Sequence, residues 1–322
     1  MMIRTLALNP AIDQTVRLDR LEPGEVLRAD ASRLDPGGKA VNVASCLADW
    51  GMKVVVTGLL GRDNAAAFEQ LFAAKGIADH MIRVAGATRT NIKLLEVDGR
   101  TTDVNLPGFT AGAADTKAVS NQLAHAGAGD LVVISGSQPP GLPEDLTECM
   151  VADLARRGVR VILDVSGAPL ARALAAPREA LPYAVKPNRH ELEVALGRPL
   201  SDPEALIDAA GELLARGIQL VVVSLGTEGA LFLSAEGGVI ARPPDLSRGS
   251  TVGAGDAMVA GITAALAEGL SLPALARQAT AFAAGKLRNA GPHLPPVAEV
   301  RAIAAGVRLS GIGQIEARVE QG

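Results

Sequence analysis

The stretch Ser250-Thr251-Val252-Gly253-Ala254-Gly255-Asp256-Ala257-Met258 says most about how this chain is built. Three small residues precede an acid, and an apolar small-residue run from Ala257 to Leu266 follows at once. That order reads as a tight loop opening a buried helix. The loop presents bare backbone N–H groups at the positive end of a helix dipole, which is a seat for a phosphoryl group. Gly253, Ala254 and Gly255 are the expected donors. Asp256 stands beside that seat, where a carboxylate is costly unless it has work to do. Taking the proton from a hydroxyl that attacks the phosphoryl is the task it suits.

Working outward, short β-branched runs alternate with longer Ala/Leu stretches. Buried strands are predicted at Thr5–Asn9, Lys53–Gly58, Asp130–Ser135, Arg160–Asp164, Tyr183–Lys186 and Gln219–Ser224. They are nearly continuous apolar runs, as parallel strands covered on both faces should be. Helices are predicted between them at Lys39–Trp50, Asn64–Lys75, Thr116–His125, Pro143–Arg157, Arg189–Ala195 and Pro203–Arg216. The alternation predicts an α/β fold: a doubly wound, mainly parallel sheet with helices on both faces. Ile12–Leu34 and Thr88–Asn105 break the rhythm with charged, polar-alternating strands, the second containing the hairpin signal Asp98-Gly99. Together they predict a small half-exposed sheet covering an active-site mouth, packing on a second subunit, or both. After Gly253 the chain is expected to be helical to Leu287 and then to trail into a polar tail.

Composition narrows the function. The 322 residues are 48% hydrophobic but only 2% aromatic, so the core is expected to be Ala, Leu and Val. A net charge of −4 gives no electrostatic reason to bind nucleic acid. No uncharged apolar run reaches the ~20 residues of a membrane span, and the N-terminal residues lack a signal-peptide pattern. A cytoplasmic protein is expected. Cys46 and Cys149 read as buried free thiols, and four scattered histidines have no zinc-like spacing.

Five further segments carry chemistry. In Asp35-Pro36-Gly37-Gly38-Lys39-Ala40-Val41-Asn42 a glycine pair at a helix start lets a ligand approach the backbone. Lys39 and Asn42 share one helix face, fit for a sugar phosphate and a sugar hydroxyl, or simply an ordinary helix start. Asp13 follows the first strand, where open α/β sheets bind ligands; it is either a hydroxyl acceptor or a turn aspartate. Alternation puts Arg89, Asn91 and Lys93 on one strand face, with Arg89 suited to bidentate phosphate binding. Asn188 and Glu191 sit at the N-cap and third positions of a helix. They read both as a capping box and as oxygens near a magnesium ion and its waters. Ser224-Leu225-Gly226-Thr227-Glu228-Gly229 reads as a tight turn open to a flat ligand such as adenine, or as a plain turn between strands. A Walker A loop is absent, and so is the G-x-G-x-x-G of dinucleotide oxidoreductases.

In order and content these segments resemble the ribokinase-like (PfkB) family of sugar kinases. The family's two signatures run from Gly37-Gly38-Lys39 through Asn42 and Gly51 to Gly61, and over Thr251–Asp256. Lys186-Pro187-Asn188-Arg189-His190-Glu191 and Ser224–Gly229 match between them, and the resemblance spans Thr5 to about Leu287. Leu8–Asp13, Thr88–Leu94, Ser135–Gly141 and a serine at 250 are similar to the phosphosugar-kinase branch, most of all to its fructose-1-phosphate kinases. Its tagatose-6-phosphate and minor fructose-6-phosphate kinases share most of these strings. The resemblance implies a single ribokinase-like domain over residues 1–322, with lid segments at about 12–34 and 88–107. It implies ATP-dependent conversion of fructose 1-phosphate to fructose 1,6-bisphosphate, with Mg2+ and, in some members, a monovalent cation. Asp256 becomes the base and Gly253, Ala254 and Gly255 the anion hole. Asp13, Gly38, Lys39, Asn42, Arg89 and Ser137 hold the phosphosugar. Lys186, Asn188, Ser224, Gly226, Thr227, Glu228 and Gly229 line the nucleotide site, with Asn188 and Glu191 organising magnesium, chiefly through water. The lid implies a homodimer. A catalytically silent sugar-phosphate sensor on the same fold is the rival from another class. Retention of Asp256 argues against it.

Overall fold

The computed structural model describes residues 1–244, 253–288, 291 and 293–312. In chain order these form β1 (Ile3–Ala7), β2 (Ala11–Leu18), β3 (Ala31–Gly37), α1 (Lys39–Asp49), β4 (Val54–Gly61), α2 (Ala66–Lys75), β5 (Ala78–Val84), β6 (Arg89–Glu96) and β7 (Thr101–Asn105). They continue as α3 (Ala113–Leu123), β8 (Leu131–Ser135), α4 (Leu146–Arg156), β9 (Arg160–Asp164), α5 (Ala168–Ala175), β10 (Ala184–Val185), α6 (Arg189–Leu196), α7 (Pro203–Arg216) and β11 (Leu220–Ser224). The last are β12 (Ala230–Ser234), β13 (Gly237–Arg242), α8 (Ala254–Glu268), α9 (Leu272–Lys286), α10 (Val297–Gly306) and β14 (Arg308–Gly311).

Ten strands form one sheet in the order β14-β13-β12-β11-β10-β9-β8-β1-β4-β5. From β11 to β5 every pairing is parallel, and β12, β13 and β14 add antiparallel at one edge. The side-chain period of two divides the strands between two cores. Leu131 and Val133 face one, with Ala44, Leu47, Val259 and Phe282. Val132 and Ile134 face the other, with Val151, Leu154 and Leu213. All five phenylalanines are buried, so they are core residues beside Ala, Leu and Val.

Strand order reverses at β1, which lies between β4 and β8. Open α/β sheets leave a crevice at the carboxyl ends of the strands at such a point. Polar residues gather along that edge: Ser135 ends β8, Asp164 ends β9, Lys186 follows β10 and Ser224 ends β11. The expected lid is a separate four-stranded sheet, β3-β2-β6-β7, in which β2 and β6 run parallel. Register places Asp13 opposite both Asp35 and Asn91. Asp13 therefore lies within a lid strand rather than just past the first core strand.

Four other expectations are corrected. The helical stretch after Gly253 is two helices: Gly269, at φ 67°, stops α8, and Pro273 lies in the first turn of α9. The polar tail contains α10 and β14. The edge strand β5 escapes the apolar-run criterion because Asp79, His80 and Arg83 interrupt it on an exposed edge. Cys149 is exposed on α4, whereas Cys46 is buried, and both are free thiols. Among the described residues no helix is long and apolar enough to cross a membrane.

Candidate active site

Helix α1 begins at Gly38, whose φ of 92° an L side chain rarely adopts. A Cβ there would stand 2.9 Å from the Pro10 Cα. The close approach brings the start of α1 against the end of β1 and aims Lys39 into the switch-point crevice. That crevice is a cavity of about 160 Å³ bounded by Asn9, Pro10, Gly38, Lys39, Arg89 and Ser135–Ser137. Four of the expected sugar-site residues, Gly38, Lys39, Arg89 and Ser137, thus line one cavity. Ser137 Oγ accepts a hydrogen bond from Asn9 Nδ2 at 3.1 Å.

Arg89 opens β6 and reaches in from the lid. Its Nη1 donates to Asn91 Oδ1 at 3.2 Å, and Asn91 Nδ2 donates to Asp13 Oδ1 at 2.9 Å. Burial lowers the Arg89 pKa, and Asp13 works against that effect. Burial likewise raises the Asp13 pKa, against the Asn91 hydrogen bond and Arg89. Arg89 Nε is buried with no hydrogen-bond partner among the described residues. Lys93, the third residue of the alternating set, pairs instead with Asp103 at 3.3 Å.

The start of α8 lies against α1, joined to it through Asn42 and Asp256. Gly253 is its N-cap at φ 78°, and no side chain among the described residues caps the helix. The first intrahelical bond runs from Ala257 N–H to Gly253 O, so the Ala254, Gly255 and Asp256 amides precede it as first-turn donors with no partner within the helix. The loop-then-buried-helix expectation holds from Gly253 onward; Ser250, Thr251 and Val252 lie outside the described residues. Asp256 is buried and accepts from Asn42 Nδ2 at 2.8 Å. Burial, reinforced by the negative charge of Asp164, pushes its carboxyl up to about 6, while Asn42, Lys39 and Lys186 hold it lower than it would otherwise be. A base with a pKa near 6 is ionised at neutral pH yet still takes up a proton readily.

Asp164, absent from the sequence-based site, links Lys39 to Lys186. It is 3% exposed and lies 3.5 Å from Lys39 Nζ and 3.1 Å from Lys186 Nζ, and it accepts from Ser135 Oγ at 2.8 Å. Burial favours its neutral form, but the two lysines outweigh burial and lower its pKa. Burial also opposes the Lys39 ammonium, and the carboxylates of Asp164, Asp256 and Glu191 outweigh that and raise its pKa. The sequence signal for Asp164 was an acid ending a buried parallel strand. Lys286, also missed, ends α9 with its Nζ 3.8 Å from where a Cβ on Gly253 would lie. Only its interruption of an alanine-rich helix marked it.

Asn188 and Glu191 form the capping box. Glu191 N–H donates to Asn188 Oδ1 at 2.8 Å, and Asn188 N–H donates to Glu191 Oε2 at 2.9 Å. Asn188 also bridges to Ser224, so the starts of α6 and of the β11–β12 turn are neighbours. In that turn Gly226 has φ 62° and open space around it, whereas a Cβ on Gly229 would meet Ala241 O at 2.0 Å. Packing against β13 therefore accounts for Gly229, and the open side of the turn is at Gly226. Thr227 and Glu228 complete the turn as solvent-facing residues outside the cavity.

Known proteins are similar to this chain over nearly its whole length. The family model described as pfkB family carbohydrate kinase matches residues 6–298. A 1-phosphofructokinase of Xanthomonas campestris pv. campestris is 54% identical over 96% of this chain and 98% of its own length. A 1-phosphofructokinase of Rhodobacter capsulatus is 46% identical over 95% and 96%. The crystal structure of phosphofructokinase-2 from Escherichia coli in complex with potassium superposes with a TM-score of 0.88 at 31% identity, covering 94% of this chain and 98% of that one. The chain belongs to the pfkB family of carbohydrate kinases.

Proposed function

We propose that the chain is an ATP-dependent fructose-1-phosphate kinase that phosphorylates the C6 hydroxyl and releases fructose 1,6-bisphosphate and ADP. The observation that carries this reading is the buried Asp256 carboxylate, raised to about 6, in the first turn of α8 and facing Lys39. The family supplies the reaction class, and the 1-phosphofructokinases similar over nearly full length supply the acceptor.

The residues divide the work as follows. Asn42 orients the Asp256 carboxylate so that its other oxygen, Oδ1, can take the proton of the C6 hydroxyl. The Gly253, Ala254 and Gly255 amides receive the negative charge of the phosphoryl in flight, in a site where water exclusion strengthens them. Arg89 and Lys39 hold the phosphate already on the sugar, and Asp13, Gly38 and Ser137 bound its hydroxyls. Asp164 pairs with both Lys39 and Lys186 and offsets their mutual repulsion, with Lys186 turned toward the transferred group near Gly255. Ser224, Gly226, Thr227, Glu228 and Gly229 border the nucleotide.

Among the described residues no three His, Cys, Asp or Glu side chains cluster as a metal cage. Magnesium keeps several waters and binds phosphates with few protein ligands, so the oxygens of Asn188 and Glu191 suit it. Glu191 uses Oε2 in the capping box and keeps Oε1 for a metal-bound water beside Asn188. Magnesium bound there neutralises phosphate charge.

We place this as one catalytic unit over residues 1–322, with the lid sheet closing over the sugar. A homodimer through the lid is supported by the exposed apolar residues Leu34, Val104 and Leu106 on its strands and edge. Its test is the mass in solution before and after Leu34→Asp. The decisive assay compares kcat/KM for fructose 1-phosphate, fructose 6-phosphate and tagatose 6-phosphate by coupled ADP release. The highest value is expected for fructose 1-phosphate, and activity confined to an unphosphorylated sugar would overturn the reading.

A further inference from the structure

We infer that Asn64 is a positioning residue for phosphosugar binding: it clamps Thr88 to the core, so that Arg89 stands in the cavity before the sugar arrives. The inference rests on the kinase reading above, in which Arg89 holds the phosphate already on the sugar. Asn64 ends the short 3₁₀ turn Arg62–Asn64 that follows β4; it is half-buried and lies outside the cavity lining. Its Oδ1 accepts from Thr88 N–H at 2.8 Å, and its Nδ2 donates to Thr88 O at 2.9 Å. A backbone N–H can only donate and a carbonyl can only accept, so this pair of bonds fixes which way the amide faces.

Thr88 stands where the chain passes between sheets. It leaves the core sheet at Val84 and enters the lid sheet at Arg89. Residues 85–88 belong to neither sheet, so their backbone groups need partners from elsewhere. Thr88 is 2% exposed, and Asn64 meets it as the backbone of a neighbouring strand would. Gly61 N–H donates to Thr88 Oγ1 at 2.9 Å, and Asp63 N–H donates to Gly86 O at 3.1 Å. Two glycines press on the same step: a Cβ on Gly61 would stand 2.1 Å from Thr88 N, and one on Gly108 would stand 2.8 Å from Arg89 N. Arg89 thus starts from backbone that the core holds.

The guanidinium needs that support because its own contacts are few. Among the described residues it makes one hydrogen bond, from Nη1 to Asn91 Oδ1, and its Nε makes none. Asn91 lies on the same strand, so this bond ties the side chain to the lid and not to the core. A planar fork meets a phosphate well only over a narrow range of position and angle. A long side chain also loses rotamer freedom when it is held there. The α-carbon of Arg89 therefore decides whether the fork reaches the phosphate, and Asn64 anchors the residue beside it. A preset fork leaves less ordering to be done on binding.

The test is a double-mutant cycle on the full chain: wild type, Asn64→Ala, Arg89→Ala and the double variant, compared by coupled ADP release. The readout is KM for the phosphosugar that the wild type turns over best. Asn64→Ala should raise it by about threefold to tenfold, the size of one or two lost hydrogen bonds, with the ATP KM unchanged. In the Arg89→Ala background the same substitution should change it by less than about twofold, because no fork remains to be positioned. Asn64→Asp keeps the acceptor for Thr88 N–H but sets a carboxylate oxygen against Thr88 O. It should behave as Asn64→Ala does, and it completes the cycle if Asn64→Ala does not fold. Effects that multiply in the double variant would overturn the inference and leave Asn64 with a role in the fold alone. So would an unmoved KM in folded Asn64→Ala while Arg89→Ala raises it; either result leaves the kinase reading standing. An Arg89→Ala KM equal to that of the wild type would refute the Arg89 assignment itself, and the inference with it.

Discussion

Replacing Asp256 by Asn should make the protein more stable and nearly inactive. Asn keeps the shape, and its Oδ1 can still accept from Asn42 Nδ2 as Asp256 Oδ2 does now. What it removes is a charge that the fold resists. Burial and Asp164 raise the Asp256 carboxyl from the ordinary aspartate value near 4 to about 6, which corresponds to roughly 3 kcal/mol at about 1.4 kcal/mol per pH unit. Because the folded-state pKa is raised, the favourable contribution is fully present below about pH 4 and is lost as pH rises through 6. At pH 7.5 the wild type bears the whole cost and the Asn variant bears none of it. Up to about 3 kcal/mol of stabilisation follows, or several degrees in Tm at about 2–4 °C per kcal/mol for a chain of this size. The advantage should shrink to about 1 kcal/mol by pH 4.5. In parallel kcat should fall by about 10²–10⁴, the usual contribution of a general base, and the acid limb of the wild-type kcat/KM profile, near pH 6, should vanish. Calorimetry at pH 4.5 and 7.5 with initial rates across pH 5–9 tests both halves. An Asn variant that is less stable at pH 7.5, or within tenfold of wild-type kcat, would refute the reasoning.

Three further substitutions probe the neighbours. Arg89→Ala should raise the phosphosugar KM by about tenfold to a hundredfold, the size of a lost charge-assisted contact, with the ATP KM unchanged; an unaltered phosphosugar KM would remove Arg89 from the sugar site. Asp164→Asn leaves Lys39 and Lys186 without their shared carboxylate, so stability should fall by about 3–5 kcal/mol. Removing the charge that raises Asp256 should also move the acid limb of kcat/KM to lower pH; an unshifted limb in folded protein would count against the coupling. Glu191→Gln preserves the capping box, since Gln serves at that position, so Tm should hold while the magnesium concentration for half-maximal rate rises. A change in Tm alone would leave Glu191 as a cap.

Much of the candidate site's geometry was legible because its residues sit at turns where chemistry and backbone constraint coincide. Gly38-Lys39 and Gly253–Asp256 each join a glycine that starts a helix to a charged residue, and the two helix starts are neighbours linked by Asn42 and Asp256. Asp164 was not legible. A single acid ending a strand looks like any solvated strand end until burial and two lysines surround it. Lys286 was hidden in the same way, at the end of α9 and far along the chain from Gly253. For Asn188 and Glu191 the sequence allowed a cap or a metal site, and the structure displays the cap while leaving one carboxylate oxygen in reserve.

The parallel sheet followed from apolar runs of strand length between amphipathic helices, because burial on both faces demands them. The lid followed from polar alternation around Asp98-Gly99. These are local matters, written in periodicity and turn chemistry. The edge elements β5 and β12–β14 depended on neighbours for their pairing, and a short or charge-interrupted segment carries no such signal of its own. Charge is likewise a tertiary property. Sequence alone identified Asp256 as an acid beside a phosphate seat; only the packing of β9, α1 and α9 around it decided that the acid is buried, raised to about 6 and set among three lysines. The reason is that a carboxylate's pKa depends on water excluded and charges brought near, both of which come from residues distant in the chain.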